Sequence, residues 1–153
     1  MGKGFEMGND GPSAILVGVD GSPTSLHAAA YAAGLARRQR ARLIVVYVRQ
    51  AVPAMVALSP SSGAQGLVAA YEIQDGIEAE LRAAILEEVP CGSVDARLVV
   101  RVGDPYTQLA AVAREVRADA LVVGASTRAG HRIAGSLAVR LVRAGHWPVT
   151  VVP

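Results

Sequence analysis

The chain has 153 residues, enough for one α/β domain with a core of its own. Half of it is apolar but only 4% is aromatic, and a formal net charge of +2 is too weak to argue for nucleic acid or an anionic membrane as partner. Lys3 is the only lysine and Cys91 the only cysteine, which excludes a P-loop lysine, a Schiff-base lysine and an intrachain disulfide.

Residues 1–13 are Gly-rich and polar without a period, and read as a flexible leader. They lack the apolar core of a signal peptide, and no later run approaches the ~20 apolar residues of a membrane helix. Ala14 to Val19 is a continuous apolar run, as for a parallel strand covered on both faces. It ends in Asp20-Gly21-Ser22-Pro23, where Ser22 is a good N-cap and Pro23 suits the first helical position. Leu26, Ala29, Ala30 and Ala33 then recur at helical spacing, and Arg37, Arg38 and Arg40 at the helix end read either as compensation of the dipole or as a partner-binding basic patch.

Leu43 to Val48 is the second strand. Arg49 to Gly66 is long for a connection in a compact domain, and reads either as a lid or as disorder without function. Ala70, Ile73, Ile77, Leu81, Ala84 and Ile85 mark a second helix, stopped by Pro90. Ala96 to Val100 alternates unevenly, as for a strand nearer the sheet edge. Gly103-Asp104-Pro105 repeats the helix-start signal, and Leu109, Val112, Ala113 and Val116 supply the buried stripe. Ala120 to Gly124 is the fourth strand, Ser136 to Ala144 the fourth helix and Val149 to Val152 the fifth strand. Strands alternating with helices predict a parallel sheet with right-handed crossovers and helices on both faces.

In such sheets ligands bind beyond the carboxyl ends of the strands, where strand order reverses. With the order 3-2-1-4-5, Asp20 and Gly124 face each other across that crevice. A strand leading to a helix start near Ser136 makes an anion site from unpaired N–H groups and the helix dipole. Asp20 suits either a ligand contact or a cap for its own turn.

Enzyme signatures fail one by one. Gly18-Val19-Asp20-Gly21-Ser22-Pro23 is not a dinucleotide fingerprint, and Gly124-Ala125-Ser126-Thr127-Arg128 is not a nucleophile elbow. A phospho-receiver needs an acidic pair, an acceptor aspartate and a lysine; Asp20 is single and Arg101 stands where the acceptor belongs. No pair of carboxylates lies at strand ends for acid–base work. No catalytic residue and no metal site is expected: His131 and His146 read as surface residues, and His27 has no Cys or carboxylate cluster near it.

Ile15-Leu16-Val17-Gly18-Val19-Asp20-Gly21-Ser22, Gly103-Asp104-Pro105, Leu121-Val122-Val123-Gly124, Gly135-Ser136 and the closing Trp147-Pro148-Val149-Thr150-Val151-Val152 together resemble the universal stress protein family over residues 14–153. The resemblance implies a Rossmann-like, five-stranded parallel sheet of order 3-2-1-4-5 in a small cytoplasmic homodimer, paired through Val149 to Val152. It also implies a stress-response protein that binds an adenine nucleotide (ATP, AMP or cyclic AMP, with Mg if ATP) and has at most weak ATP hydrolysis. Carried over, Asp20 and Val48 face the nucleoside. Gly124, Gly135, Ser136 and the backbone of Leu137 face the phosphates, with Arg128 beside them. The second glycine of the family's phosphate loop falls on Thr127, and the loop is shorter than the ATP-type pattern. The alternative is a dimeric interaction module of the same fold that binds no nucleotide.

Overall fold

The computed structural model describes residues 13–51, 63–88, 94–126 and 136–153. In chain order the elements are β1 (Ala14–Val19), α1 (Pro23–Gln39), β2 (Arg42–Arg49), α2 (Gly63–Glu88), β3 (Ala96–Val102), α3 (Pro105–Val116), β4 (Ala120–Gly124), α4 (Ser136–Ala144) and β5 (Val149–Val152). The five strands form one parallel sheet of order β3-β2-β1-β4-β5. β1 lies at its centre, with Leu16 in register with Ile44 on one side and Leu121 on the other.

Successive side chains of a strand point to opposite faces, so each strand feeds two cores. Ile15, Val17, Val45 and Val122 pack beneath α1 and α2. Leu16, Val46, Leu121 and Val123 pack with Leu109 of α3 and Leu141 of α4. Ile15, Leu16 and Val17 are fully buried. Each such side chain contributes about 2 kcal/mol by leaving water.

The helix starts follow the sequence signals. Ser22 caps α1 by accepting from the Ser25 N–H, and Asp104 caps α3 by accepting from Thr107, with proline opening both helices. At their other ends Arg40 (φ 55°) and Arg117 (φ 52°) occupy left-handed backbone. That conformation costs an L residue about 1 kcal/mol and is usually left to glycine.

Four expectations need correction. The buried stripe of α1 is Ser25, Ala28, Ala32 and Ala36, while Leu26 and Ala30 face solvent and Ala29 and Ala33 sit at its margin. The helix lies so close to the sheet that only small side chains fit beneath it, and the larger Leu26 is turned outward. α2 begins at Gly63, so the expected connection to Gly66 is shorter, and Ile73 and Ala84 are exposed on it. β3 runs on to Val102. Ser13, placed at the end of the leader, is tied to the fold: its N–H and hydroxyl both donate to the Asp119 carboxylate, at 2.8 and 3.0 Å.

Candidate functional site

Strand order reverses between β1 and β4, and beyond their carboxyl ends lies a cleft of about 490 Å³. Asp20, Val48, Gly124, Ser136 and Leu137 all border it. Five of the seven residues expected at a ligand site are therefore brought to one crevice from four segments of the chain. Arg128 and Gly135, like Thr127, His131 and Arg132, lie outside the described residues.

The cleft has two kinds of wall. Val46, Val48, Leu109 and Val123 line an apolar side, continuous with the core under α3 and α4. Asp20, Ser22, Thr24, Ser25, Ser126 and Ser136 line a polar side. An apolar wall facing a run of hydroxyls and one carboxylate is the pattern of a site for a ring joined to a polar group.

Asp20 is fixed by its own turn. Its Oδ1 accepts from the Ser22 N–H at 2.9 Å, and its N–H donates to Ser25 Oγ at 3.2 Å. Ser25 Oγ in turn donates to the Ser22 carbonyl at 2.9 Å. Desolvation pushes the Asp20 carboxyl up, but the Ser22 side chain and N–H, with the Ser25 hydroxyl, outweigh it and hold the group below the usual carboxylate range. Its turn-capping role is thus real, and it occupies Oδ1 while the residue remains exposed at the cleft.

Gly124 has a packing reason of its own. A Cβ there would lie 2.7 Å from the Thr24 carbonyl carbon and 2.8 Å from the Ser25 nitrogen. β4 therefore ends in backbone-to-backbone contact with the first turn of α1, which only glycine permits.

Three helix starts, those of α1, α3 and α4, converge on the cleft through Ser22 to Ser25, Pro105 and Ser136 to Ala138. Two are closed by their own caps. Ser22 takes an N–H of α1 and Asp104 an N–H of α3. Ser136 is the first helical residue of α4. Ser136, Leu137 and Ala138 thereby present first-turn N–H groups that no residue further back in the helix can accept from, and among the described residues no side chain caps them. Main-chain donors supply the positive potential here, since no arginine, lysine or histidine is among the described residues lining the cleft.

The rim is braced by ion pairs. Arg49, at the end of β2, holds Asp75 at 2.6 Å and Glu78 at 3.2 Å on α2. Arg140 of α4 reaches Asp104 at 3.2 Å and stacks over Tyr106 at 4.3 Å, tying α4 to the start of α3. Sequence reasoning missed the hydroxyl wall of Thr24, Ser25 and Ser126 and the amide of Gln50. The available signal was position: each lies within a few residues of the carboxyl end of β1, β2 or β4. No group of His, Cys, Asp and Glu among the described residues is placed to hold a metal ion, and no described helix is long and apolar enough to cross a membrane.

Sheet order and the cleft at the reversal point define a Rossmann-like α/β protein. The universal stress protein family model matches residues 13–153, and the chain belongs to that family. A universal stress protein family structure from Burkholderia pseudomallei is 28% identical, with a TM-score of 0.66 over 92% of this chain and 96% of that one. A universal stress protein solved in complex with cAMP is 30% identical, with a TM-score of 0.60 over 94% of this chain and 98% of that one. The universal stress protein from Archaeoglobus fulgidus in complex with dAMP is 19% identical, with a TM-score of 0.56 over 92% of this chain and 97% of that one, a likeness of fold alone. No curated protein matches the chain.

Proposed function

We propose that this chain is a stress-response protein that binds an adenine nucleotide in the cleft between β1 and β4. The observation that carries the reading is the placement of the Asp20 carboxylate and the first-turn N–H groups of α4 on one cavity, with an apolar wall between β2 and α3. In this arrangement the base lies against Val46 and Val48, Asp20 accepts from a sugar hydroxyl, and Gly124, Ser136 and the Leu137 backbone surround a phosphate. Gly135 and Arg128 complete the phosphate side, and with ATP a Mg ion accompanies the phosphates. A relative at 30% identity was solved with cAMP, which supports the same ligand class. The protein works as a cytoplasmic homodimer paired through β5, and the site has no designated general base for hydrolysis.

One observation favours the second reading, an interaction module without nucleotide. The contact of Gly124 with Thr24 and Ser25 accounts for that glycine with no phosphate present.

The two part in one titration of purified protein against ATP, AMP and cyclic AMP by calorimetry and thermal shift. A ligand at 100 times its dissociation constant stabilises the fold by about 2.7 kcal/mol. The nucleotide reading expects a shift of that order for at least one of the three, abolished in Gly135→Val, with the unliganded melting temperature of the variant within a few degrees. No shift with any of them establishes the interaction module, and an undiminished shift in Gly135→Val places the site elsewhere.

A further inference from the structure

In a parallel α/β sheet every helix returns the chain, so all helix C-termini and strand N-termini lie at the end of the molecule away from the cleft. Half of this chain's arginines fall there. Arg37 and Arg38 close α1, Arg40 is its cap and Arg42 opens β2. Arg114 and Arg117 end α3, and Arg143 ends α4. All seven are exposed.

They form a band rather than a scatter, since each step is bridged. Arg40 is two residues from Arg42, and the Arg42 guanidinium donates to the Val116 carbonyl at 3.3 Å, beside Arg117. Arg114 stands 5.5 Å from the centre of the Trp147 ring, which packs edge-on against His146 next to the end of α4. The acids nearest the band are already engaged. Asp119 accepts from Ser13 and Ala14, and Glu115 pairs with Arg101 at 2.7 Å. Asp95 and Glu87 lie to one flank, towards β3 and α2.

Arg37, Arg114 and Arg143 lie in the last turns of their helices, where a cation offsets the dipole, and Arg40 and Arg117 stand one step beyond the last turns of α1 and α3. Both stand in left-handed backbone, φ 55° and 52°, where glycine is free of strain. Two equivalent caps each carry an arginine in left-handed backbone whose side chain has no ion-pair partner among the described residues.

We propose that this arginine band is a docking surface for an acidic protein segment, independent of the nucleotide cleft. Guanidinium groups accept carboxylates in bidentate pairs, which suits the arginine composition of the band. It is bounded by Asp95 and Glu87 and stands on a chain whose net charge is only +2, so it suits a short acidic stretch better than an extended polyanion.

The test is fluorescence anisotropy of a labelled oligoglutamate peptide with the full chain. The controls are an oligoglutamine peptide, single-stranded RNA of equal charge and phosphatidylserine vesicles. Expected are saturable binding of oligoglutamate over all three, weakening as salt is raised, and at least tenfold weaker binding by Arg40→Gly/Arg117→Gly. That double variant relieves both strained caps, so it melts no lower than the parent and lost binding is not lost folding. Equal binding of oligoglutamine, preference for RNA or vesicles, or unchanged oligoglutamate binding by the double variant overturns the proposal. Neither result depends on whether the cleft takes a nucleotide.

Discussion

The finest distinctions in this molecule are made by single atoms. Gly18 and Gly124 both sit on strands beside the cleft, yet a methyl group meets different neighbours at each. At Gly18 it lies 3.1 Å from a Leu109 methyl, the far end of a side chain that can turn away. At Gly124 it meets main chain on α1 at 2.7 Å, which moves only with the helix. Overpacking a rigid site costs ~1–3 kcal/mol. Gly124→Ala should lose about 3 kcal/mol in urea denaturation and Gly18→Ala no more than about 1 kcal/mol. Equal losses would mean that the contact between β4 and α1 yields easily. The sequence marked Gly124 as a turn-like junction but gave no sign of which backbone it touches. That contact joins residues a hundred positions apart and is set by the packing of α1, which no local pattern records. Asp20 was more legible, because an Asp-Gly-Ser turn before a proline-started helix is local chemistry, and the bond from Ser22 to Asp20 realises it.

At the scale of elements, all nine among the described residues were legible in order and type, since most are short and bounded by Gly, Pro or a cap. What escaped was which face of a helix is buried. α1 contains so much alanine that hydropathy barely separates its faces, and the sheet chooses the stripe through Ser25 by fit. The masked feature at the strand entrances is electrostatic. Asp119 joins the start of β4 to the start of β1 by accepting from the Ala14 N–H at 3.0 Å and from both donors of Ser13. The Ala14 bond foremost, with those of Ser13 and the nearby Arg42 charge, outweighs desolvation and holds the carboxyl below the usual range. Asp104 is held low in the same way, first by the Thr107 N–H and then by its hydroxyl and Arg140. A carboxyl lowered on folding stabilises the fold fully above its unfolded value and loses that contribution as pH falls through the folded value. Asp119→Asn should therefore lower the urea midpoint near neutral pH and flatten its decline below about pH 4, measured across a pH series. A variant curve parallel to the parent at every pH would show that Asp119 does not titrate with folding.

For the whole molecule the two sheet edges decide what it can pair with. Edge β3 carries Arg97 and Arg101, and charge on an edge discourages a new strand. Edge β5 is Val-Thr-Val-Val, half-buried along its length and without a charge. Its pairing with β4 uses the carbonyls of Pro148 and Val152, so the alternate residues Val149 and Val151 turn their N–H and C=O groups outward. An apolar strand with unused ladder groups pairs with a like strand if one is at hand, and a second copy of the chain always is. This supports the homodimer proposed above on grounds separate from family likeness. Val151→Pro tests it, because proline removes an outward donor and leaves the β4 ladder intact. The parent should sediment as a dimer and the variant as a monomer, with the nucleotide shift, where present, retained by the isolated cleft. A parent that sediments as a monomer at high concentration, or a variant dimer of unchanged stability, would move the interface away from β5.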